Sequence, residues 1–332
     1  MQKGFIDYEW RAKDLEPNSW VRLLDDDIIS EITAAFEKAK LLSDSVDIGI
    51  DLLKLPKTAK FFNDIADEIE NGRGFIVIRG FPVNLYSVEN LCELLLGLTR
   101  HLGTPVFQNK SGSLIGRIED LGKDISKRTV RGHQTRAALP FHCDRADTIG
   151  LLCIRTAKEG GESRLVSAVA VHNVIAKEQP DLLSVLYSDF PHDRRGEEAS
   201  GEAPWIPLPI FAIVNQRFVS RYVRRFVEST SLLNAPPLSE SQLKALNFVD
   251  EVIQRPGMVL DLDFMPGDLQ LLNNYTIWHS RNEFNDWETP EQRRLLLRLW
   301  LSSPISRKLP ESFRPLYGTI EPGAIRGGVS LE

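Results

Sequence analysis

The segment Phe141-His142-Cys143-Asp144 sets an imidazole and a carboxylate two residues apart, directly after Pro140. On an extended strand, residues i and i+2 face one side, so both side chains can reach one ion while Cys143 points away. A second imidazole, His279, follows 279 − 142 = 137 residues later, at the end of LLNNYTIWHS. Two imidazoles and one carboxylate on one face of an octahedral ion leave three positions open. Fe(II) uses such openings to bind a chelating co-substrate and then dioxygen. Spacing alone is a weak signal, because His-x-Asp and a lone late histidine both occur in many unrelated chains.

The elements around these residues must hold them still. Helical apolar spacing with charged faces runs over Asp26–Leu42 and over 59–69. The apolar, β-branched run in 72–82, bounded by Gly and Pro, predicts a buried strand, and a helix follows over 88–101. From Thr148 the pattern is strand-rich: TIGLLCIRTA and SRLVSAVAV flank the turn-forming Lys158-Glu159-Gly160-Gly161. Helices are expected over 174–186 and 239–253, and a hairpin over 211–223 turning near Asn215-Gln216. MVLDLDFMPGDLQLLNNYTIWHS and RRLLLRLWLS supply the last strands. Helices flanking many short strands predict an α+β protein with a β-sandwich or barrel core. No linker is evident, so one domain over 1–332 is expected, with a helical N-terminal part over about 1–70.

PFHCDRADTIGLLCIRTAKEGGES, PGDLQLLNNYTIWHSRNEF and RRLLLRLWL, in that order, resemble the TauD/TfdA (taurine dioxygenase-like, clavaminate synthase-like) family of Fe(II)/2-oxoglutarate oxygenases. The resemblance extends in segments from about Gly72 to about Gly328. It implies a double-stranded β-helix (a jelly-roll, cupin-like core) with flanking helices and an insert over about 173–258 covering the active site. His142, Asp144 and His279 fall on the family's iron ligands. Family members that halogenate lack the carboxylate, so Asp144 favours hydroxylation.

2-Oxoglutarate chelates iron through its 1-carboxylate and 2-keto oxygen, and its distal carboxylate then needs a cation at a fixed distance. A guanidinium fork suits this task. Arg294 and Arg298, four apart in a strand-like run, share a face, whereas Arg293 takes the opposite one. In the resembling family the first arginine of an R-x-x-x-R pattern grips 2-oxoglutarate, which places Arg294 in that role and Arg298 towards the substrate. Ser163 stands where the family carries a hydroxyl residue, often threonine, on the same carboxylate. Asn109 lies where relatives line the substrate pocket. Arg281 is left outside the primary site.

The expected chemistry is oxidative decarboxylation of 2-oxoglutarate by O2 to succinate and CO2, coupled to oxidation of an unactivated C–H bond in an amino-acid-like or anionic small molecule. The same scaffold also supports desaturation or cyclisation, and a degenerate site would leave only a binding protein. His101, His133, His172 and His192 have no partner at metal spacing, and Cys143 reads as a small apolar filler behind the metal strand. The net charge of −6 argues against a broad nucleic-acid footprint, so the basic RYVRRF run is expected at a solvated strand edge. No run approaches the roughly 18 apolar residues of a membrane span. The N-terminus lacks the apolar core of a secretory signal, and three cysteines make no disulfide framework, so a cytoplasmic setting is expected. The resemblance also allows a homo-oligomer.

Overall fold

The computed structural model describes residues 5–42, 55–124, 130–198 and 201–330. Parts of the expected N-terminal helical region and of the insert therefore lie outside the described residues.

Two sheets form the centre. The larger runs in the order Val21–Leu23, Phe75–Arg79, Leu269–Asn273, Thr148–Arg155, Leu295–Ser302, Thr104–Pro105, with Ile115–Ile118 also paired to Leu295–Ser302. The smaller runs Leu260–Leu262, Ser163–Ser167, Ile277–Arg281, Leu139–His142. This strand-rich core with flanking helices is the jelly-roll arrangement expected. Its cause is alternation along each strand. Leu295, Leu297, Leu299 and Leu301 join Ile76, Ile78, Leu152 and Leu271 in a cluster with the N-terminal helices. Leu296 and Trp300, one residue out of phase, join Phe75, Ile149 and Leu151 of the large sheet, and Leu165, Leu260 and Ile277 of the small sheet, in the layer between. On the far side Val166 and Trp278 pack against the helices of 168–253.

The helices sit close to their expected positions, at Asp26–Leu42, Pro56–Glu70, Val88–Thr99 and Glu240–Ile253. The last carries a capping box between Ser239 and Gln242. The hairpin turns at Asn215 and Gln216, whose φ values of 51° and 61° match a two-residue primed turn. Two expectations fail. The strand SRLVSAVAV ends at Ser167, because the Ser167 side chain accepts from the Ala170 amide and starts the helix Ala168–Glu178. The single helix over 174–186 is two, since Pro180 opens a separate helix, Pro180–Leu186.

The connection leaving His142 is fastened from beneath. The Asn274 side chain accepts from the Asp144 amide at 3.0 Å and donates to the Ala146 carbonyl at 3.0 Å. Asp147, with its side chain 1% exposed, accepts from Arg326 Nε at 2.8 Å and from the Ser303 amide at 2.9 Å. Removing one member of so buried a pair strands the other charge. Asp147→Ala is therefore expected to lower unfolding free energy by about 3–5 kcal/mol in urea denaturation. A loss under about 1 kcal/mol would show the pair to be dispensable.

Candidate active site

His142 and His279 lie directly opposite one another on adjacent antiparallel strands, with ring centroids 4.3 Å apart. The His142 Nδ1–H donates to the Pro140 carbonyl at 2.8 Å, which fixes the tautomer and leaves Nε2 free to ligate. His279 is buried, and its Nδ1 has no hydrogen-bond partner. Burial, reinforced by the neighbouring His142, pushes the His279 imidazole down to about 3, and burial also lowers His142 despite the charge of Asp144. Both rings are thus neutral near pH 7, the form that binds metal.

Asp144 sits within electrostatic reach of both rings. Burial opposes its ionisation, but the Arg298 guanidinium, the two histidines and the Trp300 N–H together hold its carboxyl well below the usual carboxylate range. Its Oδ2 accepts from Trp300 Nε1 at 3.0 Å and faces Arg298 Nη1 at 3.4 Å. Among the described residues no three His, Cys, Asp or Glu side chains are closed around a common metal position. Both Asp144 contacts fall on Oδ2. The donors nevertheless suit Fe(II): two neutral imidazoles, one of them with an unsatisfied ring nitrogen, and an ionised carboxylate.

Arg294 and Ser163 come from the two facing sheets and line the same cavity as the histidines. Arg294 is 4% exposed; Nη2 donates to the Gly161 carbonyl at 3.3 Å, while Nη1 has no partner. Burial pulls this guanidinium down to about 10. The Gly160-Gly161 turn is needed for this approach, since both residues have positive φ and a Cβ on Gly161 would lie 3.0 Å from Arg294 Nε. Ser163 is buried and donates to Gln270 Oε1 at 2.9 Å. Arg293 is exposed, as the alternation requires. A buried cation with an unpaired N–H, lining one cavity with a hydroxyl, suits the distal carboxylate of 2-oxoglutarate.

The cavity measures about 470 Å³. Arg298 lines it, with Nε donating to Gln108 Oε1 at 2.8 Å. Asn109 stands exposed at the rim, its side-chain oxygen accepting from the Ser111 and Ser113 amides. The residue reaching inward from that loop is Gln108. Arg281 also lines the cavity, donating to the Thr135 carbonyl at 2.8 Å and stacking on Phe284. His133 lines the wall as well, pushed down to about 3 by burial and by Arg298. Cys143 is buried directly after the strand Leu139–His142, with the Tyr222 amide donating to its Sγ at 3.3 Å.

The RYVRRF run is not a solvated strand edge. Arg221, Tyr222 and Val223 are buried, and Arg224–Glu228 is a helix. The Cys143 amide donates to the Tyr222 carbonyl at 3.1 Å, so this segment runs beside the end of Leu139–His142 and places Arg221 in the cavity wall. No local pattern marks Arg221; tertiary pairing buries it.

The family model for the taurine catabolism dioxygenase TauD, TfdA family matches residues 33–300. The chain belongs to this family. It is 32% identical over 308 residues to FR-33289 synthase of Streptomyces rubellomurinus (strain ATCC 31215), covering 91% of each chain. It is 30% identical over 261 residues to the taurine hydroxylase-like protein SAT17 of Stachybotrys chartarum (strain CBS 109288 / IBT 7711), covering 75% of this chain and 66% of that one. Its fold is similar to that of the non-heme iron oxygenase OrfP solved with Fe and alpha-ketoglutaric acid. There the TM-score is 0.66 at 14% identity, covering 86% of this chain and 95% of OrfP. Asparagine oxygenase gives 0.65 at 16% identity, covering 85% and 94%. This TauD/TfdA member is an Fe(II)/2-oxoglutarate-dependent oxygenase, with iron, 2-oxoglutarate and O2 as its reagents. Among the described residues no helix is long and apolar enough to cross a membrane.

Proposed function

We propose that this oxygenase hydroxylates an unactivated C–H bond of a small anionic molecule, with iron on His142, Asp144 and His279 and 2-oxoglutarate on Arg294 and Ser163. One observation carries the reading: Arg294, buried and with Nη1 unpaired, lines the same cavity as the paired histidines. An enzyme using the same ligands without 2-oxoglutarate has no need of such a cation.

When bound, iron and 2-oxoglutarate supply the oxidising power. The chain supplies geometry and dryness. Arg294 and Ser163 orient the distal carboxylate. Gln108 holds Arg298, and Arg298 with Trp300 keeps Asp144 ionised. Ile149, Leu151, Leu296 and Phe264 form an apolar wall that limits water. We also propose that the chain works as one domain, with residues 193–197 of the insert narrowing the entrance. A cytoplasmic location suits its three free cysteines.

The test supplies iron-loaded protein with 2-oxoglutarate, air and a panel of small anions. Succinate release coupled to a product heavier by one oxygen atom is expected. A product lighter by two hydrogens would replace hydroxylation by desaturation or ring closure, and no succinate with any compound would reject the reading.

A further inference from the structure

The cavity holds more guanidinium than iron and 2-oxoglutarate employ. Beyond Arg281, Arg294 and Arg298, its wall carries several more, among them Arg131, Arg145 and Arg221. Arg221 is 4% exposed; Nη1 donates to the Asp144 backbone carbonyl at 3.3 Å, and Nε has no hydrogen-bond partner. Among the described residues no carboxylate lies within ion-pair distance of it. Arg145 has an unpaired Nε, and its Nη1 is 3.6 Å from Glu197. Arg131 ion-pairs with the same Glu197. Arg131 and Arg145 thus share Glu197 while Arg221 has no carboxylate, so these three guanidiniums carry two positive charges in excess. Buried charge of one sign is expensive unless a counter-charge arrives.

The remaining carboxylates of the cavity do not supply it. Asp144 is committed to the metal site, and Asp193 faces Arg195 at 3.7 Å and Ser229 at 2.9 Å. Nor is any carboxylate there spare for a substrate ammonium, because Glu197 is already held by two arginines. The wall is built against an amino-acid head group and for a multiply charged anion.

We propose that the substrate carries a dianionic tetrahedral group, a phosphonate or phosphate monoester, seated against Arg145 and Arg221, with Arg131 at its rim. Glu197 occupies the rim arginines until the anion displaces it. This rests on the cavity being the substrate site of the reading above, and it is tested without turnover.

Calorimetry on protein loaded anaerobically with Fe(II) and 2-oxoglutarate compares propylphosphonate, its monomethyl ester, propyl phosphate, propanesulfonate, butanoate and norvaline. The two dianions are expected to bind roughly tenfold more tightly than the monoanions or the amino acid. Arg145→Gln, less buried than Arg221 and so safer for folding, is expected to weaken the dianions by about tenfold to a hundredfold and to erase their advantage. Glu197→Gln is expected to tighten dianion binding, whereas a role for Glu197 in gripping an ammonium requires norvaline binding to fall. Equal affinity for propylphosphonate and its monoester, stronger binding of norvaline, or dianion affinity indifferent to Arg145→Gln overturns the proposal. So does failure of every dianion to bind. Propyl phosphate binding without propylphosphonate, or the reverse, distinguishes the two sources of the group. Binding of 2-oxoglutarate to the iron-loaded protein without any probe tests the site reading separately.

Discussion

A His279→Ala protein is expected to fold, to lose tight iron binding and to release no succinate. The imidazole is buried, its Nδ1 has no partner within the chain, and its ring lies 4.3 Å from that of His142. Nothing in the fold is held by a hydrogen bond from that nitrogen, so the substitution removes the proposed metal donor and is expected to leave the strand pairing of Ile277–Arg281 intact. Loss of a direct ligand should exceed the roughly 10–100-fold effect of losing an outer partner. Metal content after dialysis against Fe(II) measures the first effect, and succinate formation the second. A variant that retains one iron at wild-type affinity and still turns over would place the metal elsewhere.

The second large effect belongs to Arg294. Arg294→Gln is expected to weaken 2-oxoglutarate binding by about a hundredfold or more, with iron binding preserved. The side chain is almost wholly buried and spends only one N–H on the protein, at the Gly161 carbonyl. Each charge-assisted hydrogen bond to the co-substrate is worth about 1.5–3 kcal/mol, and about 1.4 kcal/mol is tenfold in affinity. Arg294→Lys should recover part of the loss, since it restores the charge but not the planar fork. Anaerobic titration of the iron-loaded variant with 2-oxoglutarate gives the dissociation constant directly. An unchanged constant in Arg294→Gln would remove the clamp from the site.

Much of this was readable before any coordinates. Alternation alone separates Arg294 from exposed Arg293, and it also explains why Leu295, Leu297 and Leu299 face the helices while Arg298 and Trp300 face the cavity. His142 and Asp144 were legible as a local pair, and His279 through the resemblance of its surroundings. Local patterns failed for two reasons, a helix cap inside an apolar run and tertiary partners that spacing does not announce. The run Ala168-Val169-Ala170-Val171 is equally apolar as strand or helix, and only the Ser167 cap sets its state. Arg221 reads as surface charge until the Cys143–Tyr222 backbone pairing draws it inside. The engagement of Asp144 by Trp300 spans 156 residues, a contact no sequence spacing announces.

The placement of Arg294, Arg298 and Trp300 along one edge of a buried strand also constrains how this protein can diverge. Inserting or deleting a single residue between positions 294 and 300 would turn the downstream half of the strand over, exchanging cavity groups for leucines. The chemistry is therefore tied to an uninterrupted reading frame of that strand. Glu197 sits on a turn entered through Arg195 and Gly196, both at positive φ, and Arg131 on an irregular segment outside the sheets. Lengthening those segments would leave the strand register untouched. On the proposed assignment, new molecules can be admitted by editing the doorway, while the strand behind it tolerates little change in length.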